Sequence, residues 1–91
     1  MTKIIEDVIT SNKKTNEWEL YARMNIGVDV LIASSKSYNA LKSIIGHFDA
    51  EAIESASNDD NHGILFHACG YDGRKQTELK EKYAEIGVYV F

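Results

Sequence analysis

The chain has no proline and only one cysteine, Cys69, and between Lys42 and Arg74 it has neither lysine nor arginine. Each absence excludes something. A lone cysteine rules out an intramolecular disulfide and leaves nothing that argues for secretion. With no proline, no internal repeat and no low-complexity tract, nothing marks a linker or a second unit, and residues 1–91 read as a single domain. No stretch approaches the roughly 18 apolar residues of a membrane span, so no membrane association is expected. Met1 to Thr10 carries Glu6 and Asp7 where a signal peptide needs an unbroken apolar region, and the expected compartment is the cytoplasm.

The missing bases leave a one-signed block. Asp49, Glu51, Glu54, Asp59 and Asp60 all fall inside it, and the formal net charge of the chain is −4. Such a block repels a phosphate backbone, so general nucleic-acid binding is not expected. It attracts a basic surface and speeds encounter with one. The plainer role for the same residues is to keep an edge strand and a loop solvated.

What the chain does contain is alternation. From Trp18 to Ile32 every even position is apolar: Trp18, Leu20, Ala22, Met24, Ile26, Val28, Val30 and Ile32. Side chains alternate faces along a strand, so this run makes one dry face, whereas a helix would scatter it around its circumference. Asn25-Ile26-Gly27 fits a three-residue loop with Gly27 in the left-handed position, which pairs Met24 with Val28 and folds the run into a hairpin. A single strand of fifteen residues is the other reading, far above the usual five or six.

The remaining elements follow from shorter signals. Ile4, Ile5, Val8 and Ile9 fall at helical spacing behind Thr2, predicting a short helix over 3–10, with a strand as the competing assignment. Ser11 to Asn16 is a polar connector. Ser34 and Ser35 offer an N-cap for a helix from Lys36 to His47 with Tyr38, Leu41, Ile45 and Phe48 on one stripe. Ala50 to Ser57 reads as a polar edge strand, 58–63 as a turn, and Ile64 to Cys69 as a central strand covered on both sides. Asp72 caps a helix from Gly73 to Ile86, with Leu79, Tyr83 and Ile86 facing inward. Gly87 ends it, and Val88 to Phe91 closes the sheet. From Val28 onward the order is strand, helix, strand, strand, helix, strand. That order predicts an α+β fold of ferredoxin-like split β-α-β type, an antiparallel sheet with two helices, extended by the N-terminal helix and the hairpin strand. Its edges would be Ala50 to Ser57 and either the leading or the C-terminal strand. An unblocked edge of that kind makes a homodimer an expectation.

Candidate chemistry is sparse. Gly70, Tyr71, Gly73, Arg74 and Lys75 join a strand to a helix, and such a loop can turn backbone N–H groups toward an anion with two bases beside it. The glycines lack the phosphate-loop frame, and Cys69 with Arg74 falls one residue short of the loop that encircles phosphate in cysteine phosphatases. The alternative readings are thus a small sensor of an anionic ligand or nucleotide using residues 69–75, and a minimal cysteine enzyme built on Cys69 with His67. The three histidines show no zinc spacing with Cys69, Asp59 or Asp60, so neither metal nor cofactor is expected. The leading expectation is a non-enzymatic protein-binding module. Glu51, Glu54, Asp59, Asp60 and the exposed-face aromatic Tyr21 would meet a partner with a basic surface. Stand-alone chains of this kind include inhibitors and adaptors, among them phage-encoded blockers of host defence and immunity proteins.

Overall fold

The computed structural model describes all residues from Met1 to Phe91. Three strands lead: β1 (Ile4–Asn12), β2 (Glu17–Met24) and β3 (Asp29–Ser35). Four helices follow: α1 (Tyr38–Ser43), α2 (Ala50–Ser57), α3 (Ile64–Ala68) and α4 (Gly73–Glu85). The short strand β4 (Val88–Val90) closes the chain. All strands pair antiparallel in one sheet of order β1-β2-β3-β4, so the fold is α+β. Core residues from the strands and from α1, α2 and α3 form one cluster, which makes a two-layer arrangement with helices on one face of the sheet.

The hairpin forms as the alternation predicts. The Met24 N–H donates to the Val28 carbonyl over 2.9 Å, and Gly27 stands at φ +88°. Leu20, Ala22 and Met24 are fully buried. Trp18 is only half-buried, its ring edge-on to Tyr38 at 5.2 Å, and Val28 at the hairpin tip is exposed. The even-numbered dry face also stops at Ile32. Leu20 pairs with Ala33 but Tyr21 pairs with Leu31, so Ile32 is the extra residue of a bulge, and the buried positions continue as Ala33 and Ser35.

The ferredoxin-like arrangement does not form, because three segments take a different secondary structure. Residues 4–12 are a strand and not an N-terminal helix. Three isoleucines and a valine favour β structure, a helix of eight residues has little stability of its own, and β2 offers an edge on which β1 pairs over most of its length. Asn12 accepts from the Lys14 N–H, and Asn16 takes the left-handed conformation that turns the chain into β2.

Ala50 to Ser57 is helix α2 and not an edge strand. Its weak alternation comes from alanines, which are the best helix formers and poor strand formers. Asp49 caps it by accepting from the Ala52 N–H at 2.8 Å. Ile64 to Cys69 is not a central strand; an unbroken apolar run of this length has no period with which to choose. It forms the five-residue α3, which buries Ile64 and Leu65 and leaves Ala68 exposed. The actual sheet edges are β1 and β4.

The first helix is shorter than its stripe suggests. Ser37, not Ser34 or Ser35, is the N-cap, and i→i−3 bonds from Ile44, Ile45 and His47 tighten the chain around Gly46, which turns it at φ +89°. Leu41, Ile44 and Phe48 point inward, whereas Tyr38 and Ile45 are exposed. Ser35 is buried because its hydroxyl donates to the Gly87 carbonyl and accepts from the Ser37 N–H, tying β3 to α1 and to the entrance of β4. Asp72, Gly87 and the final strand act as expected, although Ile86 is exposed. No helix is long and apolar enough to cross a membrane.

Candidate functional site

A groove of about 520 Å³ opens between α2 and the α3–α4 corner, bounded by His47, Asp49, Glu51, Ser55, His67 and Tyr71 among others. The segment before α2 supplies one wall, because the Asp49 cap fixes where that helix begins. Glu51 and Ser55 are then one helical turn apart on the same side of α2. The opposite wall is the end of α3.

That end is shaped by Asp59, which the sequence reading places in solvent. Its side chain is only 22% exposed, and it accepts from the Asn61 N–H at 2.9 Å, from His62 Nδ1 at 3.0 Å and from His67 Nε2 at 2.9 Å. The Asn61 amide, then the His62 ring, hold its carboxyl down from an ordinary 3.8 to about 2. His67, 5% exposed, is locked in place by this contact. His62 stacks on Phe66 with centroids 4.2 Å apart, and Tyr71 meets both Phe66 and His67 edge-on. Tyr71 nevertheless stays 60% exposed at the mouth of the groove.

The glycine loop has a structural origin. The Tyr71 N–H reaches back to the Phe66 carbonyl and the Gly70 N–H to the His67 carbonyl, with Gly70 at φ +65°. This is the Schellman ending of α3, which calls for glycine where Gly70 stands. One residue past Tyr71, Asp72 accepts from the Arg74 and Lys75 N–H groups at 3.0 and 3.3 Å. A carboxylate of the chain therefore already sits where an anion would bind at the start of α4. Gly73 has no positive φ and no close neighbour. Lys75 lines a separate hollow with Cys69, Glu78, Leu79 and Lys82, and Arg74 lines neither. Gly70 and Tyr71 thus face acids, apart from the two bases expected to work with them.

Cys69 is the C-cap of α3. Burial, and then the charge of Asp72, push its thiol pKa up, away from the thiolate a nucleophile needs. His67 precedes it by two residues, about 200° around a helix, and its Nε2 is engaged with Asp59. No group of three or more His, Cys, Asp or Glu side chains is placed to hold a metal ion.

The acidic candidates separate. Glu51 lines the groove; Glu51 and Glu54 also border a hollow with Met1 and Thr2; Asp60 is exposed on the 58–63 turn. Tyr21 is on the helix-free face of the sheet, half-buried, its hydroxyl donating to Glu19 at 3.2 Å. Burial first, and Glu19 second, raise the pKa of that hydroxyl. His47, Asp49, Ser55 and His67 were not singled out as partner-binding from the sequence. Of these only Asp49 carries a sequence signal, as a member of the one-signed block and as a cap residue ahead of an alanine-rich run. No protein-family model matches the chain, and comparisons with curated proteins and with solved structures find no match either.

Proposed function

We propose that the chain is a non-enzymatic protein-binding module, an inhibitor or adaptor, whose partner inserts a lysine or arginine side chain into the groove between α2 and α3. The observation that carries this reading is the composition of the groove: Asp49 and Glu51 line it, and no lysine or arginine does. One Asp49 oxygen caps α2, and the other is free to accept from an ammonium or guanidinium group. The exposed Tyr71 ring at the mouth adds a face on which a cation is attracted, worth about 0.5–1 kcal/mol at an exposed site. The stacked cluster of His62, Phe66 and Tyr71, with His67 pinned by Asp59, keeps that wall rigid before the partner arrives, which lowers the entropy cost of binding.

The test is an amide-resolved NMR titration with an arginine-rich peptide and, in parallel, an acidic peptide of equal length. Shifts with the basic peptide are expected at Glu51, Ser55 and Tyr71 and should weaken as salt rises. Asp49→Asn with Glu51→Gln removes both charges while keeping an N-cap at 49; it should abolish those shifts. Equal responses to both peptides, or shifts that persist in the neutralised variant, would remove the reading.

A further inference from the structure

The two edges of the sheet differ. β4 is three residues long, and the chain beyond it is tied down, since the Phe91 carbonyl accepts from the Ile64 N–H at 2.8 Å. β1 is nine residues long and no strand pairs with its outer side. A strand edge of that length presents a row of backbone donors and acceptors ready for another chain.

We propose that β1 pairs antiparallel with β1 of a second copy about a two-fold axis through Val8, joining two four-stranded sheets into one of eight strands. Three observations select this occupant and this register. Val8 is the midpoint of Ile4–Asn12, so centring there gives the longest overlap of the strand with itself. In that register Glu6 stands opposite Thr10 and Asp7 opposite Ile9, so no acid directly faces an acid. Centring on Glu6 or on Asp7 would place like charges face to face, which destabilises a strand pair.

The third observation is the helix-free face. Val8 pairs with Tyr21 and Tyr21 with Leu31, so these three half-buried side chains form a row across β1, β2 and β3. The neighbouring row is Glu6, Arg23 and Asp29, in which Arg23 contacts both acids at 3.1 and 3.4 Å and leaves one net negative charge. A two-fold through Val8 continues the apolar row into Val8, Tyr21 and Leu31 of the second copy. It also keeps both helical layers on one side, so the α2–α3 groove takes no part in the contact. The bulge at Ile5 falls at the far end of the pairing and leaves Glu6 to Thr10 regular. The two Asp7 carboxylates become diagonal neighbours, about 7–8 Å apart, which holds the association in check.

Sedimentation across a range of concentrations is expected to show a reversible monomer–dimer equilibrium. Val8→Lys puts two ammonium groups opposite each other and should give a monomer with an unchanged circular dichroism spectrum. Asp7→Asn should move dimerisation to lower concentration. In a Cys69→Ser background, Val8→Cys should form an intermolecular disulfide on mild oxidation, because paired Cα atoms lie about 4.5–5.5 Å apart and a disulfide spans that distance. Thr10→Cys should not cross-link, since its copies lie four residues apart along the strands, roughly 13 Å or more. A wild type that is monomeric at every concentration overturns the proposal. So does a dimer that survives Val8→Lys, ignores Asp7→Asn, or cross-links through position 10 as readily as through position 8.

Discussion

The N-terminal meander and the helical half are held together by different means. In β1 to β3 every residue but the bulged Ile5 and Ile32 is fixed by a partner on the neighbouring strand, and the alternating run sets which side chains face the core. In the helical half, α1, α2 and α3 have six, eight and five residues, below the roughly 12–15 at which a helix persists alone. Their ends are closed by particular groups: Ser37 and Asp49 at the starts of α1 and α2, the Gly70 turn after α3. The start of α3 has no side-chain cap, and its first N–H goes to Phe91, beyond the last strand. The short helices therefore depend on the sheet for their closure, whereas the meander sets its own pairing and needs the helices only to cover its dry face.

The comparison breaks if the meander tolerates loss of its core. Leu20→Ala removes a side chain that is 1% exposed in the middle of β2 and should cost about 2–5 kcal/mol, read from denaturant unfolding. Trp18→Ala, at the half-buried end of the same strand, should cost less. A Trp18 loss equal to or above that of Leu20 would mean the dry face is centred elsewhere. A smaller effect is expected where the helical half leans on the sheet. A Cβ at position 63 would come within 2.5 Å of the Phe91 backbone carbon, and a Cβ has no rotamer to escape by, so one main chain has to move. Gly63→Ala should cost about 1–3 kcal/mol, the usual range for overpacking. It should also speed amide exchange at Ile64 ahead of exchange in β2. If exchange rises equally in both, the two halves are one cooperative unit and the distinction fails.

What could be read from the residues alone cuts across this division: β1, in the meander, reads as a helix and forms a strand, whereas the cap and stop of α4, in the helical half, read correctly. The Met24–Val28 loop competes with a single long strand and is favoured by length, while the Asp72 cap, the stop at Gly87 and the closing strand carry local chemistry that permits one main outcome. The bulge at Ile32 carries none, because both Ile32 and Ala33 are apolar and either could face inward. Segments 50–57 and 64–69 are each shorter than the window over which period separates helix from strand. There, the Asp49 cap and the reach of Ile64 to Phe91 decide, and the second is a long-range contact. The acids of the groove were visible one by one. That Glu51 meets Tyr71 across a cavity follows only from the packing of α2 on α3, and nothing local separates Asp59 from its neighbours, because the fold is what brings His67 onto it.

The finest contrast lies in two carboxylates whose perturbations have opposite sign. Asp7, in the meander, is partly buried on the core side of β1, and burial alone raises its pKa above the ordinary 3.8. The folded state thus favours its proton. Its contribution to stability is complete below pH 3.8 and is lost as pH rises through the elevated value. Asp59, in the helical half, is held down to about 2 by hydrogen bonds. Its contribution is complete above pH 3.8 and is lost as pH falls toward 2. Unfolding midpoints measured between pH 2 and pH 7, at concentrations where the chain is monomeric, should separate the two. Asp7→Asn is expected to stabilise the chain at neutral pH, with the gain vanishing in acid. Asp59→Asn is expected to destabilise it at neutral pH, since an amide cannot accept all three bonds as a carboxylate does, and that deficit too should shrink in acid. Because Asp59 is pinned against His67, its variant should also loosen the groove wall and broaden the Tyr71 resonances, which Asp7→Asn should leave sharp. Neutral-pH effects of the same sign would show that burial at Asp7 is offset by a contact, and would erase the difference in electrostatic character between the halves.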